Sequence, residues 1–261
     1  MKVLLNYLQF WLAARTANGI HSPFVFQLYN EVLFVEKEYY CFGEIEKVRR
    51  TLLTDNTPLP IKDLGAGSKN LPNEQRTVRQ IVKYSVSKPK IAQLIFKLID
   101  FLQPQTVIEL GTCLGLTTLY MAEAMPSKAR LYTFEGSESL IEKAKNITKK
   151  YFEKKQKNIS FVLGDIAETL PKKLTEISQL DVVFFDANHR KEPTLQYFET
   201  CLAKTHEDSL FIFDDIYWSE EMKSAWQQIQ SHSKVTLTID LFEVGLVFFR
   251  KKQPKQHFKL R

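Results

Sequence analysis

The stretch that most constrains this chain is Gln105–Met125. A short apolar run, Thr106–Leu110, reads as a buried strand. It breaks at Gly111, turns through Thr112–Leu114 and re-enters a helix near Gly115. A strand that ends in glycine and feeds a helix exposes backbone N–H groups and lets a ligand approach the main chain closely. Glu109 stands at the carboxyl end of that strand, the edge at which open α/β sheets bind their ligands. A Gly-x-x-x-Gly turn also suits any tight strand–helix packing, so it does not identify a ligand alone. The next unit adds to it: a second strand, Arg130–Phe134, ends in Glu135, 24 residues after Gly111. An acid at that place can hold a ribose diol.

The alternation continues along the chain. Ile91, Leu94, Ile95, Leu98, Ile99 and Leu102 hold helical spacing before the Gly111 strand. Strands are expected at Thr106–Leu110, Leu131–Phe134, Ile159–Leu163, Leu180–Phe185 and Ser209–Phe213, with helices between them. Lys234–Ile239 and Val244–Phe249, joined through Asp240–Glu243, must form an antiparallel hairpin. The expected fold is α/β: a Rossmann-like, seven-stranded, mostly parallel sheet with a C-terminal antiparallel hairpin, plus an N-terminal helical cap. Three segments follow: a helical cap at 1–85, the main domain at 86–250 and a basic tail at 251–261. In the cap, Ser22-Pro23 is a helix start. Leu4, Leu5, Leu8, Trp11 and Leu12 form one helical stripe, which we expect to dock on this protein or on a second subunit, with membrane-surface binding the weaker option. Asp63-Leu64-Gly65-Ala66-Gly67-Ser68 also looks like a ligand turn. Pro58 and Pro60 spoil the strand before it, and no strand ending in an acid follows, so it reads as a loop.

Glu109-Leu110-Gly111-Thr112-Cys113-Leu114-Gly115, with Leu116-Thr117-Thr118 after it, resembles the first motif of class I S-adenosylmethionine-dependent methyltransferases. It is most similar to the O-methyltransferase branch that includes the catechol and caffeoyl-coenzyme A enzymes. The likeness covers roughly residues 86–250. It implies S-adenosylmethionine as cofactor and a cofactor-binding set of Glu109, Gly111, Thr112, Cys113, Gly115, Glu135, Gly136, Asp165, Ile166 and Asp186. In that set Glu135 would hold the ribose, Asp165 the adenine amino group, and the Gly111 turn the methionine moiety.

Acids end successive strands: Glu109, Glu135, Asp165, Asp186 and the pair Asp214-Asp215. Like charges crowded on one sheet edge need a cation, a sulfonium ligand or hydrogen-bond donors. Phe184-Phe185-Asp186-Ala187-Asn188-His189 is similar to the stretch where cation-dependent O-methyltransferases place their first metal ligand. Asp214-Asp215-Ile216-Tyr217-Trp218 resembles the caffeoyl-coenzyme A and macrocin-type sequences. The resemblance thus implies Mg²⁺ at Asp186, Asp214 and Asp215, and hard oxygen ligands suit that ion. It places His189, with Asp186, in the catalytic role, His189 taking a proton from the acceptor hydroxyl. A surface histidine is an equal reading of His189 alone. Asn188 stands where macrocin-type enzymes have an acid, and His206-Glu207-Asp208 replaces their Gly-Gly, so metal dependence and the base stay open.

With 44% hydrophobic residues the chain can bury a large core, and its three cysteines form no Cys-x-x-Cys pair. The net charge of +6 resides in Arg250–Arg261, which holds six basic residues and no acid, so a solvated tail is expected and nucleic acid is disfavoured. No apolar run reaches the ~20 residues of a membrane span. The expectation is a cytoplasmic enzyme that methylates a small hydroxylated acceptor, acting alone or as a homodimer. Open alternatives are a metal-independent methyltransferase for N, C or RNA acceptors, a nicotinamide oxidoreductase, and a non-enzymatic adenosyl-binding scaffold.

Overall fold

A computed structural model describes residues 2–61, 75–156, 158–251 and 253–261. The Asp63–Ser68 turn lies outside them. In chain order the elements begin with helices α1 (Lys2–Ala13), α2 (Pro23–Leu28) and α3 (Tyr40–Leu52). Strands β1 (Pro58–Pro60) and β2 (Gln75–Thr77) pair with each other and precede α4 (Val78–Tyr84) and α5 (Pro89–Leu102). Then come β3 (Thr106–Leu110), α6 (Leu116–Ala124), β4 (Arg130–Glu135), α7 (Glu138–Tyr151), α8 (Glu153–Gln156), β5 (Ile159–Leu163) and α9 (Ile166–Leu174). The rest is β6 (Leu180–Phe185), α10 (Lys191–Leu202), β7 (Thr205–Asp214), α11 (Glu220–Ser231), β8 (Leu237–Asp240), β9 (Val244–Phe248) and β10 (Gln256–Lys259). No helix among the described residues is long and apolar enough to cross a membrane.

The central sheet is mostly parallel, as expected, but holds eight strands rather than seven. The chain divides into two compact units, Glu36–Lys172 and Met1–Val35 with Lys173–Arg261. In the first, β3, β4 and β5 are parallel neighbours, and the register sets Glu109 opposite Thr133. Helix α5 opens on Pro89 and buries the Ile91, Leu94, Ile95, Leu98 and Ile99 face read from the sequence. It closes at Gln103 in the left-handed region, with its N–H on the Ile99 carbonyl. Helix α7 opens at Glu138 with Ser137 at the N-cap, and the Ser139 hydroxyl donates to the Pro60 carbonyl.

In the other unit the order is β10-β8-β9-β7-β6. Strands β6 and β7 are parallel, and β8 and β9 form the expected antiparallel hairpin. Gly245 in β9 lies under the Trp226 indole. A Cβ there would fall 2.6 Å from the ring, so a larger side chain cannot share the layer. The additional strand is β10, parallel to β8, inside the segment expected to be a solvated tail. The reason is period two: Phe258 and Leu260 are buried while His257 faces out. The surrounding lysines hide that alternation.

Helix α1 does not bury its stripe against the described residues of this chain. Its inward residues are Asn6 and Phe10. Asn6 Oδ1 accepts from Lys223 Nζ at 2.9 Å, and Phe10 packs on Phe242. The Leu4–Leu8–Trp11–Leu12 stripe is exposed, because these anchors turn the opposite face inward.

Phe258→Ala should destabilise the protein by about 3 kcal/mol, the usual cost of emptying a buried Phe site, read as a lower denaturant midpoint. A change within about 0.5 kcal/mol, typical of exposed positions, would mean that the segment is a solvated end after all.

Candidate functional site

The Gly111 turn is set by its neighbours in the Glu36–Lys172 unit. The backbone N–H groups of Gly111 and Thr112 both donate to the Phe134 carbonyl at 3.0 Å, tying the end of β3 to the end of β4. Gly111 has φ 106°, which side-chain-bearing residues rarely adopt. Gly115 has φ 76° as it opens α6, and a Cβ there would meet Ala144 Cβ of α7 at 3.1 Å. Between them Cys113 also takes the left-handed region, at φ 49°. It is held there by its N–H, which donates to Glu135 Oε2 at 2.8 Å. Glu135 Oε1 accepts the Ser137 N–H at 3.0 Å. The structure thus brings together Gly111, Thr112, Cys113 and Glu135, and Gly136 follows in the same turn.

Glu109 is placed differently. It is fully buried, beneath the turn, and does not face solvent. Its Oε2 accepts from the hydroxyls of Thr118 at 2.5 Å and Thr133 at 2.6 Å. Thr133 Oγ1 lies 2.5 Å from Thr112 Oγ1. A threonine hydroxyl has one proton, so Thr112 donates to Thr133 in this chain. Burial pushes the Glu109 carboxyl up to about 8, against the opposing pull of the two threonine donors and with a smaller push from the Glu135 charge. Its Oε1 is buried without a partner among the described residues. Glu109 therefore supports the turn as a neutral acid at pH 7. Thr133 supports the turn without having been singled out in the sequence, where Thr118 stood only as part of the stretch after Gly115. The available signal was a polar residue in the middle of each buried, apolar element.

Asp165 follows Gly164, which has φ 133°. It is exposed and caps α9, accepting the Ala167 N–H on Oδ1 at 2.8 Å, while Ile166 behind it is buried.

The remaining candidates belong to the other unit. Asp214 ends β7, is buried, and has a carboxyl held well above the usual range. Burial is the main cause. The charges of Asp186 and Asp215 add to it, and a hydrogen bond with the Asp186 side chain favours the protonated form. These influences favour the protonated form of Asp214. Asp215 adopts φ 56° and donates its own N–H to the Asp214 carboxyl, the one contribution that pulls the other way. His189 Nε2 lies 3.6 Å from Asp186 Oδ1, and its ring centre lies 6.0 Å from that of Trp218. Desolvation lowers the His189 pKa, opposed by the Asp215 charge, so the imidazole is neutral at pH 7. Asn188 sits between them at φ 52°, with its side-chain oxygen buried and unpartnered among the described residues. Although Asp186, Asp214 and Asp215 influence each other, no group of three His, Cys, Asp or Glu among the described residues is arranged to hold a metal ion.

Residues 108–216 match the family model of a methyltransferase domain. Over this stretch the chain is similar to methyltransferase domains. The match takes in both the Gly111 turn and Asp186–Asp215. A catechol O-methyltransferase of Niastella koreensis is 28% identical over 137 residues, 52% of this chain and 58% of that protein. The chain therefore matches only about 58% of the length of this curated relative. Among solved structures, the O-methyltransferase TomG of Streptomyces achromogenes, determined with SAM, aligns at TM-score 0.58 and 16% identity over 83% of this chain and 92% of its own. An O-methyltransferase of Bacillus cereus, in complex with SAH, aligns at TM-score 0.56 and 18% identity over 86% and 96% of the two chains. These likenesses establish the methyltransferase fold. The eighth strand of this domain, β10, lies outside the matched residues.

Because folding raises the Glu109 pKa from 4.5 to about 8, the native state holds a proton that the unfolded chain releases. The contribution is full below pH 4.5 and is lost as pH rises through about 8, at up to about 1.4 kcal/mol per unit. Glu109→Gln should flatten the fall in unfolding free energy between pH 5 and 8 relative to the native chain, measured by urea titration at each pH. Parallel curves would mean that Glu109 is ionised in the native state.

Proposed function

We propose that this chain is an S-adenosylmethionine-dependent methyltransferase that methylates an oxygen of a small hydroxylated acceptor. The observation that carries the reading is the Cys113 N–H to Glu135 contact. It locks a glycine turn of the methyltransferase domain against the acid at the tip of the neighbouring strand. The residues fit the cofactor: Gly111 has a backbone that only glycine adopts readily, and Glu135 is half-exposed at the strand tip. When bound, S-adenosylmethionine supplies a methyl group on a sulfonium centre. In this reading the Gly111–Gly115 turn receives the methionine moiety, Glu135 with Gly136 holds the ribose hydroxyls, and Asp165 with Ile166 frames the adenine.

Transfer is a displacement at the methyl carbon: the acceptor O–C bond forms as the C–S bond breaks, and the hydroxyl proton must leave. His189 is the group suited to take it, because desolvation keeps its imidazole neutral and able to accept a proton at pH 7. Asp186, 3.6 Å away, then stabilises the imidazolium. Positioning supplies most of the remaining acceleration.

The finer expectation of Mg²⁺ at Asp186, Asp214 and Asp215 does not fit the residues as they stand. The described residues form no three-ligand group.

Isothermal titration should detect S-adenosylmethionine, with Glu135→Ala weakening it by ~1.5–3 kcal/mol, the worth of a charge-assisted hydrogen bond. Tight NAD binding in its place would overturn the cofactor. Against a panel of phenols and other hydroxylated acceptors, His189→Ala should reduce kcat by roughly 10²–10⁴-fold. The native rate should fall only below the ordinary histidine range. Turnover should survive exhaustive chelation. Loss that Mg²⁺ alone restores would return the three acids to the role of metal ligands, and turnover of RNA but not of hydroxylated small molecules would overturn the acceptor class.

A further inference from the structure

Helix α1 exposes more apolar surface than its own fold uses. Leu4 is 63%, Leu8 49%, Trp11 46% and Leu12 78% exposed. These residues fall at i, i+4, i+7 and i+8, so they line one face, and Leu5 and Tyr7 border it. Only Asn6 and Phe10, on the opposite side, are buried. A contiguous apolar helix face of this kind marks a surface that meets something other than water.

Helix α1 contains no acid, and neither does Arg250–Arg261. The Arg261 guanidinium lies 3.9 Å above the Trp11 ring, and the Arg15 and Arg261 backbones are hydrogen-bonded to each other. Both arginines are exposed. On the polar margin of α1, Asn6 and Gln9 line a cavity of about 280 Å³ with Lys223, Lys259, Gln227 and Gln230. Asp240, 3.9 Å from Lys259, is fully buried and accepts the Tyr217 hydroxyl at 2.6 Å.

We propose that α1 and the basic segment beside it dock this protein onto an anionic lipid bilayer. The helix would lie in the interfacial plane, with Leu4, Leu8, Trp11 and Leu12 among the acyl chains. Arg15 and Arg261 would then sit at the level of the lipid phosphates. Twelve residues are too few to span a bilayer, which needs about 20. An apolar helix face with a tryptophan and a basic border is the interfacial arrangement. A second copy of the chain is the poorer occupant. A two-fold interface places the same patch on both partners, and here it would bring the two exposed arginine pairs together.

The test uses the full chain and vesicles of phosphatidylcholine, alone or with about one-third phosphatidylglycerol. Sedimentation should show at least about tenfold stronger partition to the anionic vesicles at low salt, falling as salt rises. Leu12→Asp should reduce that partition at least about tenfold, as should Arg15→Glu combined with Arg261→Glu. Leu12 is among the most exposed residues, so the first variant leaves the core intact, and an unchanged thermal unfolding curve confirms this. Tryptophan emission should shift to the blue on binding, and Trp11→Phe should abolish the shift while binding persists. No partition to anionic vesicles at low salt would overturn the proposal. So would equal partition by Leu12→Asp, or a blue shift that survives Trp11→Phe. A dimer in sedimentation velocity that Leu12→Asp splits, with no vesicle binding, would assign the face to a second copy instead.

Discussion

A carboxyl group removed from water must keep its proton or gather donors, and this fold depends on how it treats that choice at the ends of its strands. Ionised and unpaired, a buried acid would cost several kcal/mol. Glu109 resolves it with both devices. Its pKa rises to about 8, and two threonine hydroxyls point at one of its oxygens. Those threonines come from β4 and α6, so the neutral acid ties the strand before the Gly111 turn to the helix after it and to the neighbouring strand. The turn is held in place by groups beneath it, which leaves its upper surface to a ligand. Glu135, by contrast, is half-exposed and collects backbone N–H donors. The two glutamates look alike in sequence, and their burial gives them opposite tasks.

The same physics acts at Asp214. There burial holds the carboxyl well above the usual range, and the charges of Asp186 and Asp215 add to it. Desolvation also lowers the His189 pKa. It therefore makes Asp214 less acidic and the imidazole less basic. Each lands in the protonation state that a proton-accepting histidine requires near neutral pH.

Much of the fold was legible because its signals are local. The β-branched run before Gly111, the helical spacing of Ile91–Leu102 and the 240–243 connection each specify their element from within a few residues. What was not legible depends on partners distant in sequence. Strand β10 exists because Phe258 and Leu260 find a core beside β8, and four residues among lysines carry too little pattern to announce that. The outward stripe on α1 follows from Lys223 and Phe242, more than two hundred residues away, which hold Asn6 and Phe10. Glu109 was read as a ligand contact because sequence shows its position at a strand end and not its depth. Thr133 escaped notice although it lies opposite Glu109 in the register, since pairing cannot be read from one strand alone.

Backbone strain marks the same places as the acids. Among the described residues, non-glycine residues with positive φ include Cys113, Asn188 and Asp215. Each stands within a few residues of a strand end that carries one of the acids. A left-handed residue with a side chain costs about 1–2 kcal/mol, and such a conformation persists only where its surroundings over-determine it. At Cys113 the determinant is visible: the N–H that the left-handed turn exposes is the one that Glu135 accepts. At Asp215 the exposed N–H goes to the Asp214 carboxyl. Strain and carboxylate thus stabilise each other, the twisted backbone supplying the donor that the acid needs and the acid fixing the twist. A ligand with a positive centre or hydroxyl groups would compete for those carboxylates with donors already aimed at them. The loops at the strand ends can therefore exchange partners without unfolding.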